Sequence, residues 1–434
     1  MRVMVVGSGG REHALAKVLK DSPKVSFLVV APGNPGIGTL AALAPIASDD
    51  VASLVNYAVA EHIDLVVVGP EVALAAGLAD NLQQAGIACF GPTQGAAQLE
   101  SSKAFTKALC QANDIPSAAY TIFEDKDKAV AYLRTRSGPF VIKADGLAAG
   151  KGVVITTDLQ EAEQTIADLF GGRFGGAGSQ VVIEEHMVGE EVSFFALCDG
   201  KTSRYFGSAQ DHKRAYDGEK GPNTGGMGAY SPTSLVTPVF VDDIMERFID
   251  PTLRAMNTLG MPFCGVLYAG LMLTPQGPKL VEYNARFGDP ECQALLARFE
   301  GDLASVLMAC ARGELDQAPT FHLNDQSAAV VVLAAQGYPD HPQTGSSIGE
   351  EAANQWGEQG YVLHAGTTRD GDGTLRAAGG RVLNAVGTGA TLQKALETAY
   401  EIVDAIDWPI GFYRRDIGWR ELNRKSDNPA LLTS

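Results

Sequence analysis

The stretch "VEYNARFGDPE", residues 281–291, sets Glu282, Asn284 and Arg286 at alternate positions before a turn-forming Phe-Gly-Asp-Pro. Side chains two apart on a strand share a face, so the spacing predicts a carboxylate, an amide and a guanidinium side by side. Glu282 and Asn284 offer hard oxygen ligands of the kind Mg²⁺ takes, its other positions being left to phosphates and water. Arg286 can meet an anion through two parallel bonds without losing its charge. The set suits a polyphosphate-metal site at which charge migrates between oxygens. The plainer alternative, a surface strand with an internal salt bridge, is disfavoured because Asp289 and Glu291 follow immediately.

A second stretch, "VIKADGLAAGKGVVI", puts Lys143 inside an apolar strand and a second lysine, Lys151, beyond a glycine-rich turn. It misses the phosphate-binding loop pattern GxxxxGK by one residue, and Gly152 stands where a metal-binding hydroxyl would be. Two ammonium groups flanking a flexible loop suit a polyphosphate that is covered rather than cradled. In "VVIEEHMVGEEVSFF", a strand edge offers backbone groups near Glu184, Glu185 and Met187 to a purine, and Glu191 can accept from ribose hydroxyls. In "VVGSGGREHA", Gly9 and Gly10 close a strand and open a helix, where an anion can be received. Glycine is missing at the third position of a dinucleotide fingerprint, so phosphate is the better ligand there.

The elements that must hold these groups can be read from the periodicity. Residues 1–100 alternate short apolar runs with helical patterns, which predicts a doubly wound parallel sheet. "SSKAFTKALCQAN" reads as a helix capped by Ser101 or Ser102. A lobe at about 120–190 mixes strands with a helix over "DLQEAEQTIADLF", and its segment "FGGRFGGAGS" reads as a loop. Two hairpins, "EVSFFALCDGK" and "CGVLYAGLMLTPQGPKLVEYNAR", flank "QDHKRAYDGEKGPNTGGMGAYSP", expected to be a long functional loop. The expected units are 1–100, 101–325 and 326–434, the last of α+β type.

At 434 residues the chain can build several domains, and a net charge of −17 disfavours nucleic acid as a partner. Its six cysteines lack metal-ligand spacing and read as reduced thiols. Nothing resembles a secretory leader or a membrane span, so a cytoplasmic monomer acting on small molecules is the expectation.

Together with "FGPTQGAAQLESSKAFTK", "VAPGNPG", "GGRVLNAVG" and "RRDIGWR", these motifs occur in an order that resembles the ATP-grasp carboxylate-amine ligases, and among them the phosphoribosylamine-glycine ligase family of purine biosynthesis. The resemblance runs from residue 5 to residue 420. It implies a Rossmann-like preATP-grasp N-terminal domain, a two-lobed ATP-grasp domain and a C-terminal domain. The implied reaction joins glycine to 5-phosphoribosylamine with ATP as co-substrate and Mg²⁺ or Mn²⁺ as cofactor. Roles carried over by position are Lys103 and Lys143 on the phosphates, Glu184 to Met187 on adenine, Glu191 on ribose, Glu282 and Asn284 on metal, and Arg286 at the reacting centre. The phosphoribosyl group falls to Gly9, Gly10 and Arg11 with help from Arg381, and glycine to Asp211 or Asp289. The family's third metal carboxylate has no counterpart in "VLYAGLML". Rival readings are a formate-using or bicarbonate-using relative and a noncatalytic nucleotide-binding regulator.

Overall fold

A computed structural model of the chain describes residues 1–147, 152–172, 180–349 and 357–427. Its first layer is a five-stranded sheet of β1 (Arg2–Gly7), β2 (Phe27–Pro32), β3 (Ala42–Leu43), β4 (Leu65–Val68) and β5 (Ala88–Phe90), in the order β3-β2-β1-β4-β5. Every pairing is parallel. Val3, Met4, Val5 and Val6 are all fully buried, because crossover helices cover both faces and leave no solvent side on which to alternate.

A four-stranded antiparallel sheet forms a separate lobe: β6 (Tyr120–Phe123), β7 (Phe140–Ala144), β8 (Val153–Thr156) and β9 (Val181–Glu184), ordered β6-β9-β7-β8. The helix Leu159–Phe170 packs Ala162, Ile166 and Leu169 on it, one turn apart, as an amphipathic stripe requires. Asp158 caps that helix by accepting from the N–H groups of Gln160 and Glu161. Lys151 and residues 173–179, in which most of the expected glycine-rich loop falls, lie outside the described residues.

The largest sheet has nine strands. It contains β10 (Glu190–Asp199) and β11 (Ser203–Asp211), then β14 (Gly228–Ser231), β15 (Cys264–Thr274) and β16 (Gly277–Asn284), in the order β16-β15-β10-β11-β14. It continues through Ser327–Ala335, Arg381–Gly389 and Gly360–His364, so the C-terminal strands extend the sheet that carries "VEYNAR". Both expected hairpins form, with Gly200 and Gly277 at positive φ of 86° and 107° at their turns. The segment expected to be a long loop is instead largely a hairpin, β12 (Arg214–Tyr216) against β13 (Lys220–Asn223), and runs directly into β14. Its strands are short and polar, and Lys220, Gly221 and Pro222 stand exposed, so no apolar alternation marks them as strand. The helix Leu392–Ala405, capped by Thr391, covers the C-terminal end of the sheet.

Candidate active site

The three layers meet at a cleft of about 420 Å³ lined by Arg11, Lys103, Lys107, Lys143, Asp211, Lys213, Glu282, Asn284, Arg286, Asp289 and Arg381, among others. These groups come from distant parts of the chain: Arg11 from the helix Gly10–Lys20, Lys103 and Lys107 from the helix Lys103–Ala112, Lys143 from β7, and Glu282 and Asn284 from β16.

At one end, Lys143 projects from β7 and is 4% exposed. Its Nζ lies 2.9 Å from Glu184 Oε2 and donates to the carbonyl of Val281 at 3.3 Å, so the small lobe reaches across to β16. Glu184, at the end of β9, is shared: its other oxygen is 3.3 Å from Nζ of Lys107, on the helix Lys103–Ala112. A lysine is tolerated in such surroundings only when paired. Burial lowers the pKa of Lys107, with Glu184 opposing. Ser102 caps the same helix by accepting from the N–H of Phe105, and Asp145 of the small lobe accepts from the N–H of Ala104. A carboxylate at a helix N-terminus is favoured by the helix dipole, which helps tie lobe to body. Lys103 donates to the carbonyl of Gly146 at 3.4 Å.

Glu282 and Asn284, two apart near the end of β16, both line the cleft, as the alternation required. Burial favours a neutral Glu282, yet Lys213, Lys143 and Lys103 outweigh it and hold the carboxyl below its ordinary range. Opposite Glu282, β15 carries Gly270, which has no side chain to offer. A Cβ there would stand 3.6 Å from Glu191 Oε1 and 3.7 Å from Cγ of Glu282, so the bare position leaves two carboxylates as neighbours. Lys213 contacts Glu191, and burial of its ammonium is outweighed by Glu191, Asp211 and Glu282, which raise its pKa well above the ordinary value.

Arg286 follows the end of β16, and its guanidinium is held by Glu100 at 2.7 Å and Glu71 at 3.2 Å. These two carboxylates shift in opposite directions. Burial pushes Glu100 up to about 7 in spite of Arg286, whereas for Glu71 the arginines Arg286 and Arg11 outweigh burial and bring it down to about 2.

At the far end, Asp289 stands 3.4 Å from Arg381 and accepts from Gln293 at 2.7 Å. Burial alone would raise its pKa, but Arg381 and Arg11 lower it. Arg381 also donates to the carbonyl of Gly225, whose N–H donates to Tyr338 Oη. Asp211 lies where burial, aided by Glu291 and Glu191, raises its pKa against the pull of Lys213. Glu291 accepts from Tyr268 Oη at 2.9 Å and from Ser193 at 3.2 Å.

Several expected residues stand apart from the cleft wall. Gly9 does cap the helix Gly10–Lys20, but its N–H donates to Glu12 Oε2 at 2.6 Å, so the chain's own carboxylate occupies the anion position of that turn. Gly69 makes room for it: a Cβ there would fall 1.9 Å from Glu12 Oε1. Arg11 alone of that trio lines the cleft, pinned by Glu12 and by the carbonyl of Phe287. Gly10 faces Asn384 and Gln293 instead. Glu185 pairs with Lys279 at 2.7 Å on the outside, and Met187 is not part of the wall. Of the residues that sequence reasoning missed, Lys107 had a signal: it follows Lys103 by one helical turn and shares the buried stripe with Cys110. Glu71, Glu100 and Tyr338 had none strong enough to separate them from ordinary polar positions.

Known proteins agree with this architecture. Residues 1–100, 101–292 and 328–420 match the N, ATP-grasp (A) and C domain models of phosphoribosylglycinamide synthetase. The phosphoribosylamine–glycine ligase of Caulobacter vibrioides is 56% identical over 425 residues, covering 98% of this chain and 99% of that one. That of Brucella melitensis is 52% identical over 428 residues, covering 99% and 100%. The crystal structure of phosphoribosylamine–glycine ligase from Thermotoga maritima superposes with a TM-score of 0.83 at 32% identity, covering 96% of this chain and 100% of that one. The biotin carboxylase domain of 2-oxoglutarate carboxylase from Hydrogenobacter thermophilus, at 15% identity and a TM-score of 0.72 over 95% and 91% of the two chains, shares the fold. With all three domain models matched and full-length relatives above half identity, the chain belongs to the phosphoribosylglycinamide synthetase family of ATP-grasp ligases.

Proposed function

We infer that the cleft joins glycine to 5-phosphoribosylamine, with ATP converted to ADP and phosphate, as a step of purine biosynthesis. A carboxylate is a poor acyl donor, so a glycine oxygen first attacks the γ-phosphorus and ADP leaves. The amine nitrogen of phosphoribosylamine then attacks the acyl carbon of glycyl phosphate, loses a proton, and phosphate departs with the former carboxylate oxygen. Phosphoryl transfer asks mainly for positioning and for positive charge where negative charge moves. Lys143 and Arg286, standing with Lys103 around Glu282, answer that need.

Roles at single positions follow the same logic. Lys103 and Lys143 engage the triphosphate, the strand end at Glu184, the one residue of 184–187 on the cleft wall, is offered to adenine, and Arg11 with Arg381 receives the anionic ribosyl phosphate. Asp211 and Asp289 are the candidates for the glycine ammonium. A magnesium or manganese ion fits the hard oxygens of Glu282 and Asn284, and when bound it would draw charge off the phosphate oxygens. No cluster of three or more metal-ligating His, Cys, Asp or Glu side chains occurs among the described residues, which suits an ion held mainly by its nucleotide. Among those residues, no helix is long and apolar enough to cross a membrane.

The observation that carries this reading is the convergence of the Lys143, Glu282 and Arg286 group with the Arg11, Asp289 and Arg381 group in one cleft. Phosphate release should require glycine, phosphoribosylamine and ATP together. Release with formate or bicarbonate in place of glycine, or binding of ATP without turnover, would instead favour one of the rival readings.

A further inference from the structure

Arg414, the first residue of "RRDIGWR", is a fully buried arginine that does not line the cleft. Its guanidinium makes four hydrogen bonds: Nε and one terminal nitrogen hold both oxygens of Asp416 at 2.7 and 2.9 Å, that nitrogen also meets Glu219 at 2.6 Å, and the other donates to the carbonyl of Arg214 at 3.1 Å. Glu219 and Arg214 both belong to the β12–β13 hairpin. The surrounding segment repeats the attachment. Gly218 N–H donates to Asp416 at 2.8 Å, and Arg415 N–H donates to Asp217 at 2.8 Å. Gly418 N–H donates to Nε2 of His212 at 3.1 Å. Glu219 reaches Arg414 from a left-handed backbone, φ 59°, a conformation unfavourable to L side chains.

The residues that flank the hairpin are cleft wall. Asp211 and Lys213 line the cleft, while His212, between them, points the other way and is held by Gly418. At the hairpin's return, Thr224 bonds the carbonyl of Lys213 through both its N–H and its hydroxyl, and Gly225 receives Arg381. Asp211 is fixed by the pairing of β11 with β14, whereas Lys213, Thr224 and Gly225 stand where the short ribbon leaves and rejoins the sheet. Hydrogen bonds and ion pairs to 414–418, with Tyr216 against Phe412, tie that ribbon down.

We propose that Arg414 is a positioning residue for the glycine and phosphoribosylamine end of the cleft, acting through the β12–β13 hairpin without touching substrate. The proposal rests on the reading of that end given above. It predicts a selective defect, because Lys143 and Lys107 are held by Glu184 and the small lobe, independently of the hairpin.

The test is steady-state kinetics of the full chain, varying ATP, glycine and phosphoribosylamine in turn, for Arg414→Met, Glu219→Gln and Arg381→Met, with folding checked by circular dichroism. A misplacement on the order of 1 Å in a positioning element can cost about 10²-fold in rate. Arg414→Met should raise KM for glycine or phosphoribosylamine by about tenfold or more and lower kcat, with KM for ATP changed by less than about twofold. Glu219→Gln, at a partly exposed side chain and so safer for folding, should move the same constants in the same direction by a few-fold, and decides the matter if Arg414→Met does not fold. Amide exchange across 214–223 should quicken in both. Folded variants with unchanged constants, or with KM for ATP raised equally, would overturn the proposal. If Arg381→Met impairs the amine end while Arg414→Met and Glu219→Gln do not, the clamp alone is wrong; if Arg381→Met also has no effect, the reading of that end fails together with the clamp.

Discussion

The two ends of the cleft are built on different plans. At the end with Lys143, two lysines from different parts of the fold share one carboxylate, Glu184, and each still lines the cleft. At the end with Asp289, the charged groups are tied to backbone carbonyls, buried amides and one another by contacts such as Arg381 to Gly225 and Gln293 to Asp289. The first arrangement concentrates cations, as a flexible, highly charged ligand would require. The second holds a fixed shape. An enzyme that must move charge along a triphosphate while aligning two small substrates needs both, and their separation lets variants be sorted by which substrate they disturb.

The largest losses are expected where charge moves. Lys143→Met should lower kcat/KM by about 10²–10³-fold, the usual scale for removing one preorganised electrostatic contact. The defect should appear as a fall in ADP formation at saturating glycine. Glu282→Gln should lose roughly 10²-fold with the fold intact, and part of the loss should be recovered at high Mg²⁺ if the residue acts through the metal; near-normal turnover at ordinary Mg²⁺ would remove it from that role. At the other end, Arg381→Met should raise KM for phosphoribosylamine by about 10–100-fold, the worth of one or two charge-assisted hydrogen bonds. An equal rise in KM for ATP would erase the distinction between the two ends.

The smallest effect concerns stability. Glu100 has its pKa raised to about 7 by burial, above the ordinary carboxylate value of 4.5. The folded state therefore binds that proton more tightly than the unfolded chain. The resulting stabilisation is fully present below the unfolded pKa and is lost as pH rises through about 7. Glu71, lowered to about 2, works oppositely: its contribution is present above 4.5 and is lost only as pH falls toward 2. Glu100→Gln should flatten the dependence of Tm on pH between 5 and 7 by on the order of a few degrees. A profile unchanged across that window would show that Glu100 is ionised throughout.

How much of this was legible depends on where a residue's partners sit. Lys143 interrupting an apolar strand, and Glu282 and Asn284 at strand period, were visible because the chemistry lies within a few neighbouring residues. The doubly wound first sheet and both long hairpins were visible for the same reason, being periodic over short windows. Arg286 was found, but its holders Glu71 and Glu100 were not, since they lie 215 and 186 positions away and look like ordinary helix-starting acids. The glycine turn at Gly9 was read as an open anion site, whereas Glu12, three residues on, closes it in the manner of a capping box. The β12–β13 hairpin was missed because its strands are held by charged side chains of 414–416, and such ties leave no hydrophobic pattern.

The central claim is that glycine is activated by phosphoryl transfer, so its most direct test follows the oxygen. With glycine carrying ¹⁸O in both carboxylate oxygens, each turnover should move one labelled oxygen into the released phosphate and leave the other in the amide product. Unlabelled phosphate, with the displaced heavy oxygen appearing in water instead, would contradict the account.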